Sequence, residues 1–416
     1  MRIGKKKIVL ITTGQPATNP RIIKEAEAFH AAGHEVNLLY CFVIDWAEKE
    51  DKHVLKHVSW KHKLIGGSPT NDKQTFNITR VRQKSAAVLC KLTGNKGLIA
   101  ERTQARCYDE LLKAAIAIRA DWYIGHNLGA LPVCVNAAAA NHAKAGFDFE
   151  DYHRGEQKTM AEHERKRIMY LEKKYIPRLQ YLTTASPLIS VAIMGNFPKL
   201  HVPVFTVLNA FDLKDQPAFR EPQGKAMLKL FWFSQTIGRG RGLEFLLNCL
   251  RSLNDPDISL TLAGRMDPGF RQIIEETQHH TKSKIKIHGI ISPDELARFS
   301  AQFDIGLALE PASSENNDIA LSNKIFTYLL AGNAIIFTNT SMQERFNSEF
   351  QCGKLVSIGN IMELSEAITF YKDQKILAGQ RKYNYQLARK KLNWQMESEK
   401  LLGYFNHQCI KQTVQA

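Results

Sequence analysis

Short apolar runs alternate along this chain with longer stretches in which apolar residues return at helical spacing. The first run, Lys7-Ile8-Val9-Leu10-Ile11-Thr12, breaks at Thr13-Gly14-Gln15-Pro16, as a buried strand does. Asn19-Pro20-Arg21-Ile22-Ile23-Lys24-Glu25-Ala26 then opens a helix with Pro20 at an early position. Gly33-His34-Glu35 closes it before a second run, Val36-Asn37-Leu38-Leu39-Tyr40. The same alternation predicts strands at Trp122–Ile124, Gly146–Phe149 and Tyr181–Thr184, and an Ala-rich helix over Leu131–Lys144. Further on it predicts strands at Leu228–Phe233, Ile258–Ala263 (turning at Gly264-Arg265), Ile285–Gly289, Phe303–Leu309 and Asn333–Thr338. Ser292-Pro293-Asp294-Glu295 reads as a helix start, and Tyr383–Gln408 as one long basic helix. Strands and helices in this order predict an α/β fold with parallel sheets. A chain of 416 residues is long enough for two domains, each with its own core. We place the first over 1–206 and the second over 227–390. A linker over 207–226 is marked by Pro217, Pro222 and Gly224, and the closing segment is 391–416.

One segment of the second domain concentrates candidate chemistry. The run Phe303–Leu309 ends in Glu310, and a polar loop follows over 312–318. Ser322 and Asn323 then offer helix N-caps, Lys324 sits in the first turn, and Gly332 closes the helix. Ligands of parallel sheets bind off the carboxyl ends of the strands. A helix N-terminus there presents free N–H groups and partial positive charge, which suits a phosphate, and Lys324 adds a full charge. Taken alone, the segment reads equally well as an ordinary crossover with a solvated lysine.

The first strand–helix–strand unit, with Pro20-Arg21-Ile22-Ile23-Lys24-Glu25-Ala26 and Ala32-Gly33-His34-Glu35-Val36, and the late Ser322-Asn323-Lys324-Ile325-Phe326 with Ala331-Gly332, resemble the retaining family-four glycosyltransferases, which have the GT-B fold. Further segments agree in order: Asp121 to Asn127 with the family's strand end carrying a histidine, Phe149 to Glu156 with its second histidine segment, Val207 to Asp212 with its linker, and Arg239-Gly240-Arg241-Gly242 with its basic residue before glycine. The resemblance implies two Rossmann-like domains facing an interdomain cleft, the first binding the acceptor and the second a nucleotide sugar, with the final helix crossing back to the first. It implies transfer of a sugar from a nucleoside diphosphate, with retained anomeric configuration, to a glycan or lipid-linked acceptor in cell-surface polysaccharide synthesis. Charge builds on the leaving phosphate as the bond breaks, so fixed cations are needed there. By resemblance Arg241 is one clamp, with Arg239 a weaker second, and Lys324 with Asn323 and Ser322 the other; a guanidinium fork suits a diphosphate. Gly14 and Gln15 stand where backbone approaches the donor phosphates, although Gly14 also reads as a simple turn. Gly264 and Arg265 either line the nucleotide pocket or make a plain turn. His126 and His153 fall at positions near the sugar, each also readable as a structural histidine. Glu310 either faces the sugar or caps its loop.

Composition narrows this. Hydrophobic residues at 44% and charged residues at 23% are ordinary for a globular protein. The seven cysteines are scattered without metal-ligand spacing, which points to reduced thiols in the cytoplasm and no structural zinc. No signal peptide and no spanning segment is read, and no metal or cofactor is expected. The net charge of +15 favours polyanionic partners. No nucleic-acid module is recognisable, so the expected partner is an anionic membrane surface, met peripherally on its inner face. Arg80, Arg82, Lys84, Lys91, Lys96, Arg102 and Arg106, interleaved with apolar residues, form the candidate contact. A second basic cluster, Arg154 to Lys174, reads as a solvated face.

One departure from the family pattern stands out. Where the family has a glutamate gripping the nucleotide ribose, this chain has Thr327, which offers a hydroxyl and no carboxylate. Two alternatives therefore stay open beside the transferase: a non-catalytic GT-B scaffold, and a sugar-nucleotide epimerase.

Overall fold

The computed structural model describes residues 4–221 and 227–410. Pro222 and Gly224 of the expected linker lie outside the described residues. The chain divides into two compact units, the described parts of Met1–Leu208 with Ser398–Ala416, and Asn209–Glu397. The first holds strands β1 (Lys7–Thr12), β2 (Glu35–Cys41), β3 (Lys61–Ile65), β4 (Trp122–His126), β5 (Lys144–Phe149), β6 (Tyr181–Thr184) and β7 (Val204–Thr206). They form one sheet in the order β3-β2-β1-β4-β5-β6-β7, parallel at every pairing. The second holds β8 (Leu228–Ile237), β9 (Ile258–Met266), β10 (Lys284–His288), β11 (Ile305–Ala308), β12 (Ala334–Thr338) and β13 (Gly353–Val356). Its order is β10-β9-β8-β11-β12-β13, again parallel throughout. Strand order reverses between β1 and β4 in one sheet and between β8 and β11 in the other. Such switch points are where open parallel sheets place their ligands.

Both sheets are covered on two faces, which explains the continuous apolar runs. Ile8, Val9, Leu10 and Ile11 of β1 are fully buried, as are Leu230 and Trp232 of β8. In the second unit Gly306 makes room for Tyr328: a Cβ there would come within 2.2 Å of the ring. The Tyr328 hydroxyl lies 3.2 Å from the Leu307 carbonyl and 3.3 Å from that of Phe231. The helix Asn323–Ala331 is thereby seated across the switch point.

In the first unit the key fastening is ionic. Arg21 donates Nε and Nη2 to the two Asp148 oxygens at 2.7 and 2.8 Å, and Nη1 to the Val207 carbonyl at 2.7 Å. Thr183 Oγ1 adds a bond to Asp148 at 2.6 Å. Helix Pro20–Ala31, β5, β6 and the segment after β7 are thus joined through the one buried Arg21–Asp148 pair.

Three elements differ from the sequence expectation. The Ala-rich helix ends at Ala140 and Lys144 begins β5, because Asn141 turns its side chain to the Ile116 carbonyl and the Tyr123 hydroxyl. The loop over 312–318 contains a short helix, Glu315–Ile319, capped by Ser314. The long closing helix is two, Gln374–Lys390 and Trp394–Ile410. Asn393 breaks it, donating back to the Ala388 and Arg389 carbonyls and accepting from the Met396 amide. The last helix belongs to the first unit from Ser398 on, where Phe405 packs on Phe29 and Trp122 at 4.8 and 5.0 Å.

Removing one partner of a buried ion pair strands the other. Asp148→Ala should therefore cost about 3–5 kcal/mol of stability. Urea unfolding followed in the first unit checks this; a loss below about 1 kcal/mol, the value of an exposed pair, would contradict it.

Candidate functional site

In the second unit the loop after β8 runs Gly238-Arg239-Gly240-Arg241-Gly242 into helix Leu243–Leu253. Gly242 has φ +76°, and a Cβ there would lie 2.6 Å from the Leu309 carbonyl. Glycine is what lets this loop rest on the end of β11. Arg239 and Arg241 are exposed. Arg241 Nη1 donates to Ser234 Oγ at 2.9 Å. Ser234 lies where the β8–β9 register slips, between Phe233 and Thr236. Gly264 (φ +143°) accommodates that slip: a Cβ there would be 2.2 Å from the Ser234 carbonyl. Gly264 is therefore required by strand packing, while Arg265 beside it is exposed.

Glu310 is the hub. Its Oε1 accepts from Lys324 Nζ at 2.7 Å and from Ser322 Oγ at 2.9 Å. Its backbone is pinned by Thr338 Oγ1, which accepts from the Glu310 amide at 2.8 Å and donates to its carbonyl at 2.7 Å. Burial pushes the Glu310 carboxyl up. Lys324, the Ser322 hydroxyl and Arg241 outweigh it and hold the group below the usual carboxylate range. Because Ser322 spends its hydroxyl on Glu310, it does not cap helix Asn323–Ala331. Asn323 is exposed at that helix start. Trp232 lies below, its ring centroid 5.6 Å from Lys324 Nζ. Two cations, Lys324 and Arg241, act on the one Glu310 carboxylate; Arg239 stands exposed on the same loop, where Glu244 Oε1 accepts from the Gly240 amide. Ser234 and Thr338 were not singled out in the sequence; one sits on an irregular strand and the other ends an apolar run, and neither carries a motif.

Thr327 is buried and turns its hydroxyl back to the Asn323 carbonyl at 3.5 Å. It lies within helix Asn323–Ala331. Nearby Asp318 accepts from the Ser341 amide and hydroxyl.

In the first unit Thr12, Thr13 and Asn127 lock the two strands at the switch point. Asn127 Nδ2 donates to Thr12 Oγ1 at 2.8 Å, and Thr13 Oγ1 donates to Asn127 Oδ1 at 2.6 Å. Gly14 has room for a Cβ at ordinary contact distance, 3.4 Å or more, so the turn itself does not require glycine. Gln15 is buried and its side chain is spent: Oε1 accepts from the Val43 and Ile44 amides, and Nε2 donates to Asp51. This side chain shapes the loop after β2 and is not on offer to a phosphate.

His126 is wholly buried. Its Nε2 lies 2.8 Å from Glu25 Oε2 and its Nδ1 3.6 Å from Asp148 Oδ2. Burial pulls its pKa down, but the two carboxylates raise it above the ordinary value. His153 is buried against Phe149 and pairs with Glu156. Both histidines thus hold carboxylates of their own unit. Glu150, which follows β5, is pushed up to about 7, mainly by burial and despite Arg21. No local pattern signals that shift, because it depends on what is packed around the group.

Among the described residues no group of three or more His, Cys, Asp and Glu side chains is placed to hold a metal, and no helix is long and apolar enough to cross a membrane.

No protein-family model matches this chain, and no curated protein matches it in sequence. Solved structures do match. Sucrose-phosphate synthase from Thermosynechococcus elongatus is similar with a TM-score of 0.70 over 97% of this chain and 99% of its own, at 13% identity. Anabaena HepE, solved with UDP and glucose, gives 0.68 over 97% and 100%, at 12% identity. The fold is GT-B. A mutant of S. aureus TarM, solved with fondaparinux, alpha-GlcNAc-glycerol and UDP, gives 0.66 over 96% and 100%, at 11% identity. The GT-B likeness covers both units.

His126 offers a pH test. A base whose folded pKa is raised contributes stability that is complete below its ordinary value of 6.5 and lost as pH rises through the folded value. His126→Gln should therefore destabilise more at about pH 6 than at about pH 9, read from urea midpoints. An equal loss at both would remove the charged pairing with Glu25.

Proposed function

We propose that this chain is a retaining glycosyltransferase of the hexosyltransferase class. The second unit holds the nucleoside diphosphate of a sugar donor, and the first takes a glycan or lipid-linked acceptor for cell-surface polysaccharide. The observation that carries the reading is the excess positive charge around Glu310 at the β8–β11 switch point. Arg241 and Lys324 are the clamp for the leaving diphosphate, with Arg239 and the uncapped amides at Asn323 beside them. Developing negative charge on the β-phosphate would be met by groups already fixed in place, with little reorganisation. Glu310 is a positioning residue in this reading: it aims Lys324 and stays ionised. Relatives of this fold solved with UDP support a uridine donor, and the family resemblance supports retention.

Thr327 favours the second reading, a GT-B homologue that binds without turnover. Its inward hydroxyl leaves the ribose without the family's carboxylate. Incubation with a panel of nucleotide sugars separates the readings. Donor hydrolysis or transfer supports the transferase, interconversion of the sugar an epimerase, and nucleotide binding alone the scaffold.

Arg241→Ala and Lys324→Ala should each weaken UDP binding ten- to a hundred-fold. Each removes a charge-assisted contact of about 1.5–3 kcal/mol. Titration calorimetry checks this, and unchanged affinity in both folded variants would remove the clamp. Since fixed cations do the work of charge neutralisation, transfer should persist in a chelator. Loss restored by magnesium would contradict that.

The membrane proposal now rests on helix Lys73–Thr93. Ile78, Val81, Val88 and Leu92 recur at helical spacing and are all more than half exposed. Arg80, Lys84 and Lys91 lie exposed one position before Val81, Ser85 and Leu92, so a basic stripe borders the apolar one. Arg82 leaves the candidate contact because it is paired with Asp109 and Glu110, and Arg102 because it is paired with Asp109. The protein should sediment with anionic vesicles, release at high salt and ignore neutral ones. Charge reversal at Arg80, Lys84 and Lys91 should abolish this; a reversed variant that sediments equally would refute it.

A further inference from the structure

A cavity of about 620 Å³ opens at the carboxyl edge of β1, β2 and β3, a size that suits a small ligand. It lies wholly within the first unit. One part of its wall is apolar: Phe42, Val43, Ile44 and Phe76. Val43 and Ile44 remain 61% and 43% exposed, held out by Gln15 Oε1, which accepts from both their amides. An exposed apolar rim that the fold itself holds in place is what an apolar ligand needs.

The other part of the wall is cationic. Arg106 Nη1 donates to the Gly66 carbonyl and Thr79 Oγ1, and Nη2 to the Phe42 and Gly67 carbonyls. Its guanidinium lies 4.7 Å from the Phe76 ring centroid. All of these partners are neutral. The charge is fixed in place without being cancelled, which is how a preorganised anion site is built. Arg80, 5.4 Å over the same ring, is exposed and is in no ion pair among the described residues. Asp45 also lines the cavity, but it stands in the first turn of helix Asp45–Val54, where the helix dipole offsets its charge.

We propose that this cavity binds the head of an amphipathic phosphate ester, with the phosphate on Arg80 in the field of Arg106 and the apolar chain along Phe42, Val43, Ile44 and Phe76. Arg80 makes the direct contact because its guanidinium is uncommitted. The exposed apolar stripe that begins with Ile78 and Val81 stands on another face of the same helix, away from Phe76 and Gln83, and is no part of the cavity. Use of this ligand as the acceptor rests on the transferase reading; its binding does not.

Octyl phosphate, kept below its micelle threshold, is the probe, titrated calorimetrically into the full chain beside octanol and inorganic phosphate. It should bind at least roughly tenfold tighter than either, since losing the charged head or the chain forfeits about 1.4 kcal/mol or more. Arg80→Ala should weaken octyl phosphate about tenfold and leave octanol unchanged; the exposed side chain makes this variant safe for folding. Equal affinity for octyl phosphate and octanol, or an unaffected variant, overturns the proposal, as does inorganic phosphate binding as tightly as the ester. A UDP titration on the same sample keeps the two claims apart. Octyl phosphate binding without UDP binding upholds the cavity and removes the donor reading. UDP binding without octyl phosphate binding does the reverse.

Discussion

A lysine ammonium on a flexible stem is a poor clamp unless something aims it. Glu310 does so here, holding Lys324 Nζ at 2.7 Å and Ser322 at 2.9 Å from one carboxylate oxygen. The Glu310 backbone is itself fixed by Thr338 at the end of β12, and the carboxylate is kept ionised by the cations it organises. The rest of the candidate donor site depends on this arrangement. The glycine at 242 brings the arginine loop down onto β11, Ser234 turns Arg241, and Ser322 gives up its capping role. The balance leaves more positive charge than negative, which is the condition a diphosphate requires.

The first unit solves a different problem. It buries Arg21, Asp148, His126 and Glu25 together, and charges removed from water must find one another. That network fastens helix Pro20–Ala31 to the sheet. The open chemistry of this unit lies on the other side of β1, in the cavity walled by Arg80, Arg106 and the loop after β2.

The period of the apolar positions made the two parallel sheets legible in the sequence, because a buried parallel strand has to be apolar on both faces. The loop carrying Arg241 and the helix start carrying Lys324 were legible for a related reason: glycine and capping residues are punctuation with steric causes. Roles were harder to read. His126 and Gln15 occupy strand ends where a ligand residue would stand, yet their side chains turn inward to partners far away in sequence, Glu25 and Asp51. Arg82 belonged to a basic run until Asp109 and Glu110 claimed it. The Asn393 break is local, but a single asparagine serving two helix ends looks like any polar residue in a helical stretch. Burial and pairing of this kind are set by tertiary contacts that no local pattern encodes.

The central claim is that the cations gathered around Glu310 grip the second phosphate of a nucleotide. Comparing UDP with UMP on the wild-type protein by titration calorimetry tests it most directly, since the two ligands differ by that phosphate alone. The account predicts UDP binding at least roughly tenfold tighter, a gain of about 1.4 kcal/mol or more that shrinks as salt is raised. Equal affinity for the two, or a preference indifferent to salt, would contradict it.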